Sequence, residues 1–330
     1  MNKTNELELL KELATRKTEI LSELGKVIVG QERVIENFLI ALFSGGHCLL
    51  EGVPGLAKTL LISSLAKVLD MSYSRIQFTP DLMPSDITGT DILAENKADG
   101  KRYFEFIKGP VFANIILADE INRTPPKTQA ALLQAMQEFQ ITAGNQTFEL
   151  TKPFLVFATQ NPIEQEGTYP LPEAQLDRFM FNIYIDYPDF TEEKEIVKRT
   201  TSGQKVKLER VMNADDINRL QAIIAKIPVS NHVLDFAVKL VRATRPKSAE
   251  APELINRWVN WGAGPRASQY LIVAAKTRAA LDGRLSPSET DIKAVAEIVL
   301  QHRVLISFAA EAEGLRSRDV IRKLISEIEK

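Results

Sequence analysis

Glu51-Gly-Val-Pro-Gly-Leu-Ala-Lys-Thr-Leu60 decides how this chain is read. A short apolar run, His47-Cys-Leu-Leu50, feeds Gly52-x-x-Gly55-x-x-Lys58-Thr59, and a helical pattern follows. A strand that turns on glycines into a helix points successive backbone N–H groups, and the positive end of the helix, at whatever occupies the turn. A chain of phosphates is the fitting guest. In such a loop Gly52, Val53, Pro54, Gly55, Leu56, Ala57 and Leu60 supply the cradle, Lys58 reaches the β and γ oxygens, and the Thr59 hydroxyl binds Mg²⁺. Ala57 stands where the general pattern has glycine. Its methyl is tolerated if the residue takes right-handed helical angles, because only positive φ calls for glycine.

A second segment supports the first. Ile115-Ile-Leu-Ala-Asp119-Glu120 is an apolar strand ending in two carboxylates. Isolated carboxylates at the carboxyl end of a buried strand are costly to desolvate unless they meet a cation, and ligands of open α/β sheets bind at that edge. Asp119 is the candidate to hold Mg²⁺, mainly through water, and Glu120 to orient and deprotonate an attacking water.

Outward from these motifs, apolar runs at 47–51, 73–78, 114–118, 154–159 and 180–185 alternate mostly with helical stretches, which predicts a parallel five-stranded sheet between helices. Two helices precede them, over 5–24 and 31–43. Asp91-Ile-Leu and Tyr103-Phe-Glu-Phe-Ile flank Ala98-Asp99-Gly100 as a hairpin, and a second hairpin is predicted around Gly144-Asn145. Beyond Pro188 only helical patterns remain, at 191–200, 213–226, 231–243, 266–281, 290–303 and 316–328. The expectation is an α/β core over 1–190 and an all-helical domain over 191–330, with 245–265 an ordered loop and Ser288 or Thr290 capping a helix.

Composition agrees and excludes much else. The 330 residues suggest roughly two domains of about 150. At 45% hydrophobic and 25% charged the chain is neither disordered nor collagen-like, and a net charge of −2 gives no global basic field for nucleic acid or anionic lipid. One cysteine, Cys48, rules out an internal disulfide, and His47, His232 and His302 are too dispersed for a zinc site. The charged N-terminus and the absence of a long apolar run point to a cytoplasmic protein.

The spacing of GVPGLAKT, IILADE and ATQNP resembles an AAA+ ATPase. Ile28-Val-Gly-Gln31, Arg75-Ile-Gln-Phe-Thr-Pro-Asp-Leu-Met-Pro-Ser-Asp-Ile-Thr-Gly89, Ala118-Asp-Glu-Ile-Asn-Arg123, Ala130-Ala-Leu-Leu-Gln-Ala-Met-Gln-Glu138 and Ala309-Ala-Glu-Ala-Glu-Gly314 narrow the resemblance to the MoxR family, over nearly the whole chain. It implies an AAA+ P-loop core with a helical lid, ATP and Mg²⁺ as ligands, and a homo-oligomeric ring, most often a hexamer. The activity implied is ATP hydrolysis that remodels or matures a protein client, with a von Willebrand A-like protein as partner. By motif position Asn161 resembles sensor 1, beside the γ-phosphate or the lytic water, and Arg178 the arginine finger that completes a neighbouring subunit's site. Arg266 resembles sensor 2, which couples nucleotide state to lid position, and Val29, Gly30 and Gln31 the stretch that contacts adenine. Arg123 is a candidate either for nucleotide or neighbour contact or for a structural ion pair. The hairpin near 91–108, with Glu95, Asn96, Lys97, Asp99, Lys101 and Arg102 exposed, resembles an insert in the second core helix that can engage substrate. A P-loop kinase, a nucleic-acid motor and a scaffold without turnover share parts of this engine. The water-activating set of Asp119, Glu120 and Asn161, the near-neutral charge and the presence of Glu120 argue against each in turn.

Overall fold

The computed structural model describes residues 3–95, 102–143, 146–163, 166–203 and 206–328. Leu10, Leu13, Ile20 and Leu24 turn one stripe of α1 (Lys3–Gly25) into the core, and α2 (Glu32–Ser44) buries Ile35, Phe38, Leu39 and Leu42 beside it. The α/β core follows as β1 (Cys48–Glu51), α3 (Lys58–Val68), β2 (Tyr73–Gln77), α4 (Pro84–Thr88), β3 (Gly89–Glu95), β4 (Arg102–Lys108), β5 (Ile115–Asp119), α5 (Pro126–Glu138), β6 (Gln140–Ala143), β7 (Gln146–Glu149), β8 (Leu155–Gln160), α6 (Glu173–Leu176) and β9 (Phe181–Tyr184). β2, β5, β8, β1 and β9 lie in that order in one parallel sheet, so every crossover returns through a helix or insert. Leu50 pairs with Thr159 on one side and Ile183 on the other, and Gln77 pairs with Asp119. These registers bring the carboxyl ends of four strands together.

Strand pleating splits the interior in two. Cys48 and Leu50 face α3 through Leu61, Ile62 and Leu65, whereas Leu49 faces α5 through Leu132 and Met136. The predicted hairpins are present: β3 pairs with β4 from Gly89↔Lys108 to Glu95↔Arg102, and β6 pairs with β7. Gly89 is required at the base of the first, since its φ is +98° and a Cβ there would lie 2.2 Å from the Ile107 carbonyl oxygen. The turn residues of both hairpins, Asn96 to Lys101 and Gly144-Asn145, lie outside the described residues.

The C-terminal part comprises α7 (Phe190–Thr201), α8 (Ala214–Ala225), α9 (Asn231–Ala243), α10 (Glu253–Trp258), β10 (Val259–Trp261), α11 (Pro265–Leu281), α12 (Glu289–Leu300), β11 (Leu305–Ile306), α13 (Phe308–Ala312) and α14 (Ser317–Ile328). Two expectations are corrected here. The lid is not all-helical, because β10 and β11 pair antiparallel, and the expected loop over 245–265 contains α10 and β10. Elements this short carry too little periodicity to be read from sequence. Of the two candidate caps it is Ser288 that caps α12. Ala267, Leu271 and Ala274 of α11 join the same apolar cluster as α1, α2 and α3, so lid and core share one interior.

Within the lid, Asp291 is fully buried and receives Arg284 Nη1 at 2.7 Å, the Ser288 backbone N–H and hydroxyl at 2.8 Å each, and Arg278. Burial alone would raise its pKa, but these hydrogen bonds outweigh that and hold it at about 2, below the ordinary 3.8. A depressed carboxylate pKa stabilises the fold above the unfolded value, and that stability is lost as pH falls from about 4 towards 2. Removing the acceptor in Asp291→Ala should cost about 3 kcal/mol at pH 7 in urea titration, near the lower end for a broken buried pair because both arginines retain some access to water. The difference between wild type and variant should shrink by about 2 kcal/mol at the acid end of that window, and an unchanged difference would remove Asp291 from the account.

Candidate active site

The loop after β1 folds as its glycines require. A Cβ on Gly52 would come within 2.7 Å of the Ile185 carbonyl oxygen, and Gly55 has φ +89°. Ala57 departs from expectation: its φ of 54° and ψ of 20° are left-handed rather than right-handed. A side chain in that region costs about 1–3 kcal/mol, so the residue before Lys58 holds strain at the start of α3. The Lys58 ammonium donates to the Gly52 and Val53 carbonyls at 2.6 and 3.2 Å. Burial pushes its pKa down, and the nearby Asp119 and Glu120 charges push back.

Across the loop stands the end of β5. Asp119 Oδ1 accepts the Thr159 hydroxyl at 2.6 Å, and Oδ2 accepts Arg75 Nε and Nη2 at 3.1 and 2.7 Å. The Glu120 backbone N–H donates to Thr159 Oγ1 at 2.8 Å, so one hydroxyl fixes both acidic residues. Glu120 itself has φ 57°, a second left-handed non-glycine residue, and its Oε2 accepts Gln77 Nε2 and Arg123 Nε, each at 3.0 Å. The strained backbone turns its carboxylate out of the strand line.

These groups open on one cavity of about 440 Å³, lined by Pro54 to Leu60, Asp119, Glu120 and Asn161 together with Arg75, Gln77, Thr159 and Gln160. Asn161 is 8% exposed, and its Oδ1 accepts the Ile163 N–H at 3.2 Å. The last four lining residues were not singled out from sequence. Arg75 and Gln77 carried a usable signal, since polar residues two apart around Ile76 must share a face of a strand.

Other candidates lie elsewhere. Arg178 and Arg266 do not line this cavity. They border a separate groove with His47 and Tyr270. Arg178 Nη1 donates to the Leu133 carbonyl at 2.8 Å rather than pairing with Glu173, and Arg266 Nη1 donates to Asp177 Oδ2 at 2.9 Å. Asp177 Oδ1 accepts the buried Arg303 Nε at 2.7 Å, which ties the end of α12 to the start of α11. Val29, Gly30 and Gln31 are also off the cavity, at the turn into α2. Gly30 and Gln31 have φ of 66° and 62°, and a Cβ on Gly30 would meet the Glu192 carboxylate of α7 at 2.2 Å. A glycine is needed there both for the turn and for the approach of α7.

Comparison with known proteins places this geometry. The family described as "ATPase family associated with various cellular activities (AAA)" matches residues 47–181, and the "AAA lid domain" matches 253–324. Chaperone MoxR1 of Mycobacterium tuberculosis is 44% identical over 93% of this chain and 80% of its own length. Protein MoxR of Methylorubrum extorquens is 32% identical over 92% and 90%. A crystal structure of a candidate ATPase from Cytophaga hutchinsonii superposes with a TM-score of 0.90 at 44% identity, covering 98% of this chain and 97% of that one. The first match spans Lys58, Asp119 and Glu120, and the MoxR relatives span nine-tenths of the chain around them. The chain belongs to the MoxR family of AAA+ ATPases.

Proposed function

We propose that this protein hydrolyses ATP to ADP and phosphate in an assembled ring, most simply a hexamer, and spends the cycle remodelling a protein client in the cytoplasm. The observation that carries the reading is the convergence of Lys58, Thr59, Asp119, Glu120 and Asn161 on one cavity at the carboxyl ends of β1, β5 and β8. The loop amides and Lys58 hold the phosphates. Glu120 takes the proton of the attacking water, and Asn161 orients that water with its amide. Thr59 and Asp119 suit Mg²⁺, a hard cation that takes oxygen ligands and keeps several waters. Asp119 Oδ1 keeps one lone pair beyond the one Thr159 uses, while Oδ2 is taken by Arg75. When bound, the ion neutralises charge on the phosphate oxygens.

The client role rests on kinship with a protein called a chaperone in M. tuberculosis, and a von Willebrand A-like partner on the family resemblance. Phosphate release from ATP by purified protein tests the core of the proposal. Turnover should vanish in excess chelator and in Lys58→Ala, which should also fail to retain nucleotide by equilibrium dialysis. Turnover that persists in Lys58→Ala would refute the assignment of the site.

A further inference from the structure

We propose that a second cleft, on the face of the sheet opposite α3, binds the free carboxy-terminal end of an extended peptide. This goes beyond the ATPase reading and does not depend on it. Leu50, Phe181 and Ile183 join the core beneath α3, so the alternation of β1 and β9 sends Glu51, Asn182 and Tyr184 the other way. There they form the floor of a cleft of about 640 Å³, closed by the end of α12 and the start of α14, a volume in the range of ligand sites.

Its polar groups are short of partners. Among the described residues seven buried side-chain polar atoms lack a hydrogen bond, and three of them, Asn182 Oδ1, His302 Nδ1 and Arg318 Nε, belong to residues lining this cleft. Asn182 and His302 are 5% and 8% exposed. Asn182 Nδ2 donates to Glu51 Oε1 at 2.7 Å, and a carboxylate only accepts, so the amide orientation is fixed and Oδ1 is a lone acceptor. His302 Nε2 is already met by the Phe179 carbonyl at 3.0 Å and by Arg303 Nη1 at 2.6 Å, which leaves Nδ1 as the ring nitrogen without a partner. Arg318 stacks over the Tyr184 ring at 4.8 Å, which holds its planar fork in place. An unpaired buried polar atom is costly, and three on residues that line one cleft make a deficit that a ligand seated against them would relieve.

The arrangement selects the ligand. Arg318, with Arg316 beside it, calls for an anionic acceptor, and Asn182 Oδ1 calls for an N–H donor. Glu51, next to Asn182, repels a second negative charge and so disfavours phosphate or a dicarboxylate. Ile163, Leu176 and Val304 add an apolar wall. A chain terminus offers these in sequence: a carboxylate for the arginines, an apolar last side chain for the wall, and a peptide N–H for Asn182.

The test is fluorescence anisotropy on the full chain without nucleotide, so that failure of the ATPase assignment cannot affect it. The probe is a fluorescein-labelled degenerate hexapeptide pool ending in leucine, made once as the free acid and once as the amide. The acid pool should bind at least about tenfold more tightly than the amide, a difference of about 1.4 kcal/mol. Arg318→Gln and the more exposed Arg316→Gln should each weaken the acid pool and narrow that gap. Equal binding of the two pools, binding by neither, or full competition by inorganic phosphate would overturn the proposal. So would an unchanged affinity in Arg318→Gln, or a dimer in sedimentation with the cleft at its interface.

Discussion

Glu120→Gln should retain ATP while its hydrolysis falls by about 10²–10⁴, the usual worth of a positioned general base. The substitution preserves shape, and the carbonyl of glutamine can still accept Gln77 Nε2 or Arg123 Nε, so the cavity is not dismantled. Lys58, Thr59 and the loop amides are untouched, so binding survives. The signature is therefore a split: dialysis reads near-native ATP affinity, and single-turnover assays read the loss. The variant should also arrest the protein in its ATP state, which makes it the form for affinity capture of clients and of any von Willebrand A-like partner. Undiminished turnover in Glu120→Gln would remove that residue from catalysis, and loss of binding would make its role structural.

The other large effect concerns Arg178. Both Arg178 and Arg266 sit away from their own chain's phosphate cavity, on a groove with Tyr270. Under the proposed ring, a guanidinium placed there would meet the transferring phosphate of an adjacent subunit. Arginine fingers are worth about 10³–10⁵ in rate, so Arg178→Ala should abolish turnover almost as fully as Glu120→Gln does. Mixed in one preparation, the two inactive variants should regain part of the wild-type rate, because some interfaces then combine an intact Arg178 with an intact Glu120. Native mass spectrometry would verify mixing and give the ring size. No recovery in mixed rings would count against action across the interface.

The parts of this molecule legible in its sequence are those whose determinants are adjacent in the chain. The turn of Gly52 and Gly55 into Lys58-Thr59 is one such part, as is an apolar strand run into Asp119-Glu120. The five sheet strands were legible too, since buried parallel strands read as short apolar runs. What escaped depends on distant pairing. Arg75 and Gln77 meet Asp119 and Glu120 only because β2 pairs with β5 in a register that sets Gln77 against Asp119, and no local pattern specifies a register between strands so far apart. Thr159 joins the Asp119 carboxylate to the Glu120 backbone N–H for the same reason. The left-handed backbone of Ala57 escaped because alanine gives no sign of it; the strain is imposed by the loop and helix on either side. Trp258 and Trp261 read as loop because elements of three to six residues are set by tertiary packing rather than by their own pattern.

Asp177 is held at once by Arg266, at the first turn of α11, and by Arg303, just past α12, while the next residue along the chain is Arg178. The proposed finger is thus mounted on a bracket bolted to the lid at two points, and its aim would be set by where the lid stands. In the proposed ring, a lid shift of a fraction of an ångström would re-aim the arginine offered next door, even with the subunit's own phosphate pocket unaltered. In a closed ring such brackets would form a linkage in which each site is tuned by the posture of the subunit beside it.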